Sequence, residues 1–574
     1  MSKHTSPSKV SKVTQNLDLD SKAIGVLPII NQFIERLGIA ELLDRHVPSK
    51  ENMTLSHGQM LLLLIRNILV ERQPLYNLPD WAMTYDGLFT GLVGISRKAL
   101  NDDRIGRALN ELFLAERPTM LTDLTLRAID VFKIDLSQFH NDSTTVTVYG
   151  AYRSAFTFKG KQTVKLKRGH NKDHRPDLKQ LVYCLTVSRD HAVPIHYKVY
   201  DGNITDDRTH IETWEKVRAL VKRSDFIYVA DCKLCTRAQM EHIDRAGGRF
   251  ITVLPKTRSE QAWFEQWAAQ NKVPWKELLR TPDHRHPDSD QELVYYGTES
   301  PVPSKEGYRI LWILSSQKQE QDQQYRYEQI QKTVDDLSEL QKKVGHRNLK
   351  SQQQISEAVK SILETHGSER WFEWHTTCEE STRYKQQGKG RPGKDTPYAQ
   401  VVTQQWTFMA MPNEQQIQAD ARMDGIFPLI TNISKNQLAM KDVLLKYKYQ
   451  PFVEKRHQQL KSVFDAMPVY LKAPHRVEAM MFVYFIVLLL NALIERQLRQ
   501  AMQAQNIASL PLYPEERRCR RPTTERIVTF FSQQRRHILK SQTDIVKTFH
   551  DPLSDLQLKV LKLMGVAPTP YRSG

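Results

Sequence analysis

From Ile134 the chain passes through three short β-branched runs in succession, FHNDSTTVTVYGAY, QLVYCLTVSRD and VPIHYKVYDGN. A helical stretch from Asp207 to about Lys222 follows, then the strand DFIYVAD, a helix from about Thr236 to Ala246 and the strand RFITVLP. Three consecutive strands, a crossover helix, then strand, helix and strand leave few topologies open. The order implies an α/β architecture, a mixed sheet covered by helices. Two acidic residues lie on it. Asp142 sits within the first strand, and Asp231 closes a run in which Ile227, Val229 and Asp231 alternate onto one face. Ligands gather at the carboxyl ends of strands in such sheets, so an aspartate closing an apolar strand is well placed to hold a metal. Asp231 also suits a cap of the following helix, and Asp142 a hydrogen-bonded edge carboxylate.

At 574 residues the chain is too long for one hydrophobic core. Residues 1–22 read as a disordered basic tail. Residues 23–133 read as a helical N-terminal domain, with apolar residues three and four apart in IGVLPIINQFIERLGIAELLDRHV and HGQMLLLLIRNILV. The first part of the sheet core occupies 134–255. From 256 to 424 the pattern is lost: Trp-rich and charged stretches alternate with a Gln-rich helical piece (DDLSELQKKV to ISEAVKSIL) and the loop YKQQGKGRPGKD, as in an insertion domain. A second part of the core returns at 425–505, and 506–574 forms a basic helical C-terminal region with no internal repeat anywhere in the chain.

The longest apolar run, Ala479 to Leu490, falls short of the roughly 20 residues that cross a bilayer, so it is expected as a buried helix. The polar N-terminus lacks the apolar core of a signal peptide. Five scattered cysteines give no disulfide framework and suit a reducing cytoplasm. Cys232 and Cys235 have C-x-x-C spacing, but no second pair answers them at zinc-finger distance.

Lys and Arg total 82 against 65 Asp and Glu, a net charge of +17 that favours a polyanionic partner, nucleic acid first. Arg383, Lys385, Lys389, Arg391 and Lys394 meet no acid before Asp395, and the glycines among them permit close backbone approach to DNA. The plainer reading of that stretch is a surface loop. Arg517, Arg518, Arg520 and Arg521 are either a phosphate contact or a solvated face. His170, Lys172, His174 and Arg175 lie in a polar turn that suits either phosphate or solvent, and Asp206 and Asp207 suit helix caps.

The segment KYKYQPFVEKRHQQLK runs from Lys446 to Lys461. Glu454 and Lys461 are seven residues apart, two helical turns, and share a face about 10 Å apart along the axis. Pro451 belongs in the first helical turn, where its missing amide costs nothing, and the helix dipole there favours the charge of Glu454. Glu478 is the rival acid. It stands at the start of an apolar helix, has Phe485 at i+7, and is expected to cap that helix.

These motifs, in this order, resemble the DDE transposases of bacterial insertion sequences, in the group marked by Y-x2-R-x3-E-x6-K. Tyr447, Glu454 and Lys461 match that signature, and FHNDSTTVTVYGAY, GHNKDHRPDLKQLVYCL, VYDGNITDDRTH, VADCKLCTRAQM and DGIFPLITN are similar to the same group, over about residues 20 to 570. The resemblance implies a ribonuclease-H-like core interrupted by an insertion, with Asp142, Asp231 and Glu454 as catalytic and metal-holding carboxylates. Two magnesium ions, replaceable by manganese, would activate water or a 3′-hydroxyl and stabilise the leaving oxygen. It further implies double-stranded DNA as partner, both terminal inverted repeats and target, a homodimer on paired ends, no membrane, and a place on the nucleoid in the cytoplasm. Tyr447, Lys448, Gln450, Arg456 and Lys461 would then touch DNA, as would Lys385, Lys389, Arg391 and Lys394. Gln450 stands at the signature Arg position, so Lys448 or Arg456 is expected to carry that charge instead. A site-specific nuclease that does not transpose, and a catalytically inactive DNA-binding repressor, are the alternatives.

Overall fold

A computed structural model of the chain describes residues 17–152, 156–204, 209–282, 292–346, 349–464, 471–541 and 544–572. Asp206 and Asp207, expected as caps, and residues 1–16 of the expected tail lie outside them. The chain divides into two compact units, Met1–Ile251 with Leu445–Gly574, and Thr252–Leu444. The N-terminal, first core and C-terminal segments therefore pack as one body, not as separate domains.

The first unit begins with β1 (Leu17–Ala23), so the expected tail is ordered from Leu17. β1 pairs antiparallel with Arg535–Ser541, Leu17 opposite Ser541 and Ala23 opposite Arg535, and that strand forms a hairpin with Asp544–His550. The C-terminal region is accordingly not all helical. Its helices Thr524–Phe531 and Asp555–Met564 flank this hairpin. Between β1 and the main sheet lie helices that include His57–Val70, whose N-terminus is closed by a Ser56–Gln59 capping box. Helices Asp102–Leu114 and Arg117–Phe132 follow.

The sheet of this unit contains β2 (Gln138–Val148), β5 (Lys179–Ser188), β6 (Pro194–Asp201), β7 (Ile227–Val229) and β8 (Arg249–Val253); β3 (Thr157–Phe158) and β4 (Lys161–Gln162) form a small separate pair. The spatial order is β6-β5-β2-β7-β8. β2 is antiparallel to β5, and β5 to β6, while β7 runs parallel to β2 and to β8. The crossovers are the helices His210–Val221 and Arg237–Arg245, the second capped by Thr236 and not by Asp231.

The apolar run at 479–490 is the middle of a 31-residue helix, Pro474–Ala504. By length and composition it could cross a membrane, yet its apolar window is buried within the protein. It packs against β6 and against helices His57–Val70, Asp102–Leu114 and Asp555–Met564. A helix apolar all round needs neighbours all round, and here the surrounding helices supply them.

The second unit, expected as a patternless insertion at 256–424, runs from Thr252 to Leu444 and is regular. Strands Ile426–Thr431, Arg309–Ser315, Glu292–Glu299 and Lys276–Pro282 pair antiparallel in that spatial order. The strand Ile426–Thr431, assigned from sequence to the second part of the core, lies in this unit. The Gln-rich segment forms helices Ser316–Lys343 and Gln352–His366, whose Leu337, Leu340, Ile355, Val359 and Leu363 make a separate core with Trp371, Phe372 and Phe408. Phe372–Gln386 and Tyr398–Pro412 form a two-stranded ribbon, and the basic loop is its tip. Phe372 and Phe408 anchor the base of the ribbon on that core, while most residues towards its tip are exposed on both faces and show no hydrophobic alternation.

Candidate active site

Asp142 is the single partly exposed residue of β2; the other ten positions of the strand are buried. Its neighbours are polar, and the β2–β5 ladder places it opposite Leu185. β7 meets β2 in parallel register, with Gln138 level with Ile227 and His140 level with Val229. The same register carried two residues further sets Asp142 level with Asp231. In a parallel pair, level residues project to the same face, so both carboxylates leave one side of the sheet. Asp231 also caps the short turn Cys232–Leu234, with its Oδ1 accepting from the Lys233 amide at 3.1 Å. The capping and site readings of this residue are compatible.

Glu454 reaches the same place from across the chain. Its helix, Pro451–Gln458, carries Pro451 in the first turn, as expected, and packs on β2 and β5. The Glu454 carboxyl is pushed above its usual range, first by partial loss of hydration and then by the negative charge of Asp142, with Lys172 opposing. Burial raises the Tyr447 hydroxyl, and the charges of Asp231 and Glu454 raise it further. Glu454 therefore feels the charge of Asp142, and Tyr447 feels those of Asp231 and Glu454. Glu478 does not join them. Its carboxylate binds Arg117 at 2.5 Å and the Val164 amide at 2.9 Å, so it ties its helix to two other segments and does not cap its own N-terminus.

Two histidines absent from the sequence reading flank the carboxylates. His457 Nε2 is 3.7 Å from Asp142 Oδ2, and His210 Nε2 is 3.9 Å from Asp231 Oδ1. His457 follows Glu454 by three residues, one helical turn, and that spacing was the available signal. His210 Nδ1 lies 3.2 Å from the Tyr228 hydroxyl and 3.4 Å from Asn141 Nδ2, a buried link between β2, β7 and the crossover helix.

Several residues expected on DNA have other work. Gln450 is buried, with Oε1 2.9 Å from His140 Nδ1 and Nε2 donating to the Asn141 carbonyl at 3.1 Å. Burial pushes the His140 imidazole down to about 4, so it meets Gln450 as a neutral ring. Arg456 is also buried. It donates to the carbonyls of Ala192 and His191 at 3.1 and 2.9 Å and pairs with Glu495 at 3.1 Å. Neither side chain is placed to touch a phosphate, and both fasten the Glu454 helix to the sheet. Lys448 is half-buried. Lys461 binds Asp173 at 2.7 Å. The α-helical register assumed between Glu454 and Lys461 ends at Gln458, and Gln459–Val463 is a π-helical turn, a feature frequent at functional sites. Lys385, Lys389, Arg391 and Lys394 are exposed near the ribbon tip of the second unit.

Asp142, Asp231 and Glu454 are a hard-oxygen donor set suited to a divalent ion such as magnesium. Loss of hydration, and after it the charge of Asp142, raises Glu454, and a bound cation would favour its ionised form against both. Among the described residues no three His, Cys, Asp or Glu side chains are close enough to hold one ion, so the set is open. The C-x-x-C pair gathers no metal group there either, and the described cysteines form no disulfide.

Residues 136–490 match the transposase DDE domain family, and residues 19–126 match a domain of unknown function, DUF4277. No curated protein matches the chain. Among solved structures, piggyBac transposase in a synaptic complex with hairpin DNA is 8% identical, covers 89% of this chain and 82% of its own, and superposes with a TM-score of 0.37. The Mos1 mariner paired-end complex with Mn is 10% identical over 42% of this chain and 79% of its own, with a TM-score of 0.14. Neither likeness is close enough to argue from.

Proposed function

The chain belongs to the family of transposases with a DDE domain, and on that premise we propose that it cuts DNA at the ends of an insertion sequence and joins the 3′ ends to target DNA, with Asp142, Asp231 and Glu454 as the catalytic carboxylates. The observation that carries this reading is the placement of three carboxylates from distant parts of the chain: Asp142 on β2, Asp231 two residues beyond the end of the neighbouring parallel strand β7, and Glu454 on a helix that packs on β2 and β5 and feels the charge of Asp142. The strand order, three antiparallel strands followed by two parallel ones, supports the reading of a ribonuclease-H-like core. Two magnesium ions held by the three carboxylates, or manganese in their place, would supply the Lewis acidity that activates water or a 3′-hydroxyl and stabilises the leaving oxygen.

The chain's own residues set up that site. β2 carries Asp142, and the parallel register of β7, continued two residues past its end, sets Asp231 level with it. Gln450 and Arg456 lock the third helix to the sheet, so Glu454 is presented without rearrangement. His457 and His210 stand 3.7 and 3.9 Å from the Asp142 and Asp231 carboxylates. Lys461, Lys448, Tyr447 and the basic ribbon tip are the proposed DNA contacts, while Gln450 and Arg456 are withdrawn from that role. The reading extends to a bacterial element acting on the nucleoid in the cytoplasm, to N-terminal helices that recognise terminal inverted repeats, and to a homodimer that pairs the two ends.

The test uses the full chain with a supercoiled plasmid carrying the DNA that flanks its gene. Magnesium-dependent cleavage at the repeat ends, with joined products, is expected. Cleavage without joining would make the protein a site-specific nuclease, and binding without cleavage a repressor.

A further inference from the structure

The polar turn 168–177 is built to hold one lysine beside the carboxylates. Buried Asn171 donates to Gln180 Oε1 at 2.8 Å, and its Oδ1 accepts from the Asp173 amide at 2.7 Å. The Lys172 amide donates to Thr145 Oγ1 on β2 at 3.1 Å. Gln180 Nε2 donates to the carbonyls of His170 and Gly202 at 3.1 and 2.8 Å. That approach requires glycine, because a Cβ on Gly202 would stand 2.0 Å from the Gln180 carbonyl oxygen. Asp173 is held by Lys461, so the turn is also tied to the segment that follows the Glu454 helix.

The backbone of Lys172 is thus fixed while its long side chain can turn. The ammonium lies 3.7 Å from Asp142 Oδ1, donates to the Ser143 carbonyl, and acts on Glu454 as well. The lysine side chain is 37% exposed and that of Asp142 17%, so the pair sits at the edge of solvent with its ammonium within reach of water.

We propose that Lys172 is a resident counter-ion, which neutralises Asp142 and Glu454 until a divalent ion takes its place and then turns its ammonium onto a non-bridging oxygen of the bound DNA phosphate. The inference rests on the reading of Asp142, Asp231 and Glu454 as metal-holding carboxylates. A compact ammonium on a flexible stem suits both tasks, since it needs no fixed planar partner and binds phosphate as a point charge. Lys172 is a positioning residue in this account, acting through the carboxylates before metal arrives and through the DNA afterwards.

Thermal melts of the full chain with increasing Mn2+ at constant ionic strength test it, using wild type, Lys172→Gln, Lys172→Ala, Lys172→Arg and Asp142→Asn. Loss of the competing cation should lower the Mn2+ concentration at half-maximal stabilisation about fivefold in the Gln and Ala variants, the scale of an exposed ion pair. Lys172→Arg should stay near wild type. At saturating Mn2+ the Gln and Ala variants should nick DNA more slowly. A purely structural lysine would lower melting equally with and without Mn2+ and leave half-saturation unmoved, which would overturn the proposal. If wild type shows no Mn2+ stabilisation, or Asp142→Asn responds as wild type does, the carboxylate reading itself falls.

Discussion

Replacing Arg456 by Met separates the locking role of this side chain from the DNA role that its sequence position suggests. Met keeps much of the length and removes the charge, leaving the carbonyls of Ala192 and His191 without their donor and Glu495 without its nearest cation. Removing one partner of a buried ion pair costs about 3–5 kcal/mol. Arg499 stands 3.4 Å from the same Glu495 carboxylate and takes up part of the charge, which places the loss near the lower end, about 3 kcal/mol. For a unit of this size, with an unfolding entropy of about 2.1 cal/mol/K per residue, that lowers the melting temperature by about 4 °C. The assay is a thermal melt beside a salt titration of DNA binding. Arg456→Met should melt lower with an unchanged salt slope, and Arg456→Met with Glu495→Leu should recover much of the loss. An unchanged melt with a flatter salt slope would refute the lock and return Arg456 to the DNA.

Gln450→Arg, which restores the signature residue, should destabilise the protein by about 2 kcal/mol or more without raising DNA affinity, because the position is buried against His140 and the Asn141 carbonyl; a melt and a binding titration check it. The Glu454 carboxyl titrates above its unfolded value, so the folded chain holds that proton more tightly and gains stability as pH falls through the raised pKa. Ionised Glu454 therefore costs stability at neutral pH, and Glu454→Gln should melt slightly higher there in metal-free buffer, by no more than about 1 °C for so exposed a group, with the difference lost in acid. Alanine at Lys385, Lys389, Arg391 and Lys394 should flatten the dependence of log affinity on log salt by about 0.9 for each phosphate no longer neutralised; an unchanged slope would remove the ribbon tip from the DNA path.

Period and order made the sheet legible. FHNDSTTVTV is legible as a β-branched run and FIYVAD by its alternation, and the order of the runs implies a mixed sheet. The places of Asp142, Asp231 and Glu454 in the fold were likewise legible, since each closes or occupies a recognisable element. Partner choice over long sequence separation was not. β1 takes its shape from a strand more than 500 residues later, and LDLDSKA alone shows no such partner. The ribbon was hard to read because its strands bury one face only at the base, at Phe372 and Phe408, and are exposed beyond it. The signature window misled at Gln450 and Arg456 because a helical position says which face a residue occupies, and only the packing of that face on β2, β5 and the turn at 191–192 says whether it meets solvent. His210 was hidden for the same reason, its role being set by Asn141 and Tyr228 on separate strands.

The most direct measurement of the central claim is divalent-ion-dependent nicking of plasmid DNA carrying the gene's flanks, by wild type and by Asp142→Asn, Asp231→Asn and Glu454→Gln, with folding and DNA binding measured on the same preparations. Three carboxylates acting as one metal-holding set predict nicking by wild type alone, with all three variants folded and bound to DNA. Wild-type rates of nicking by any one of the folded variants would contradict it.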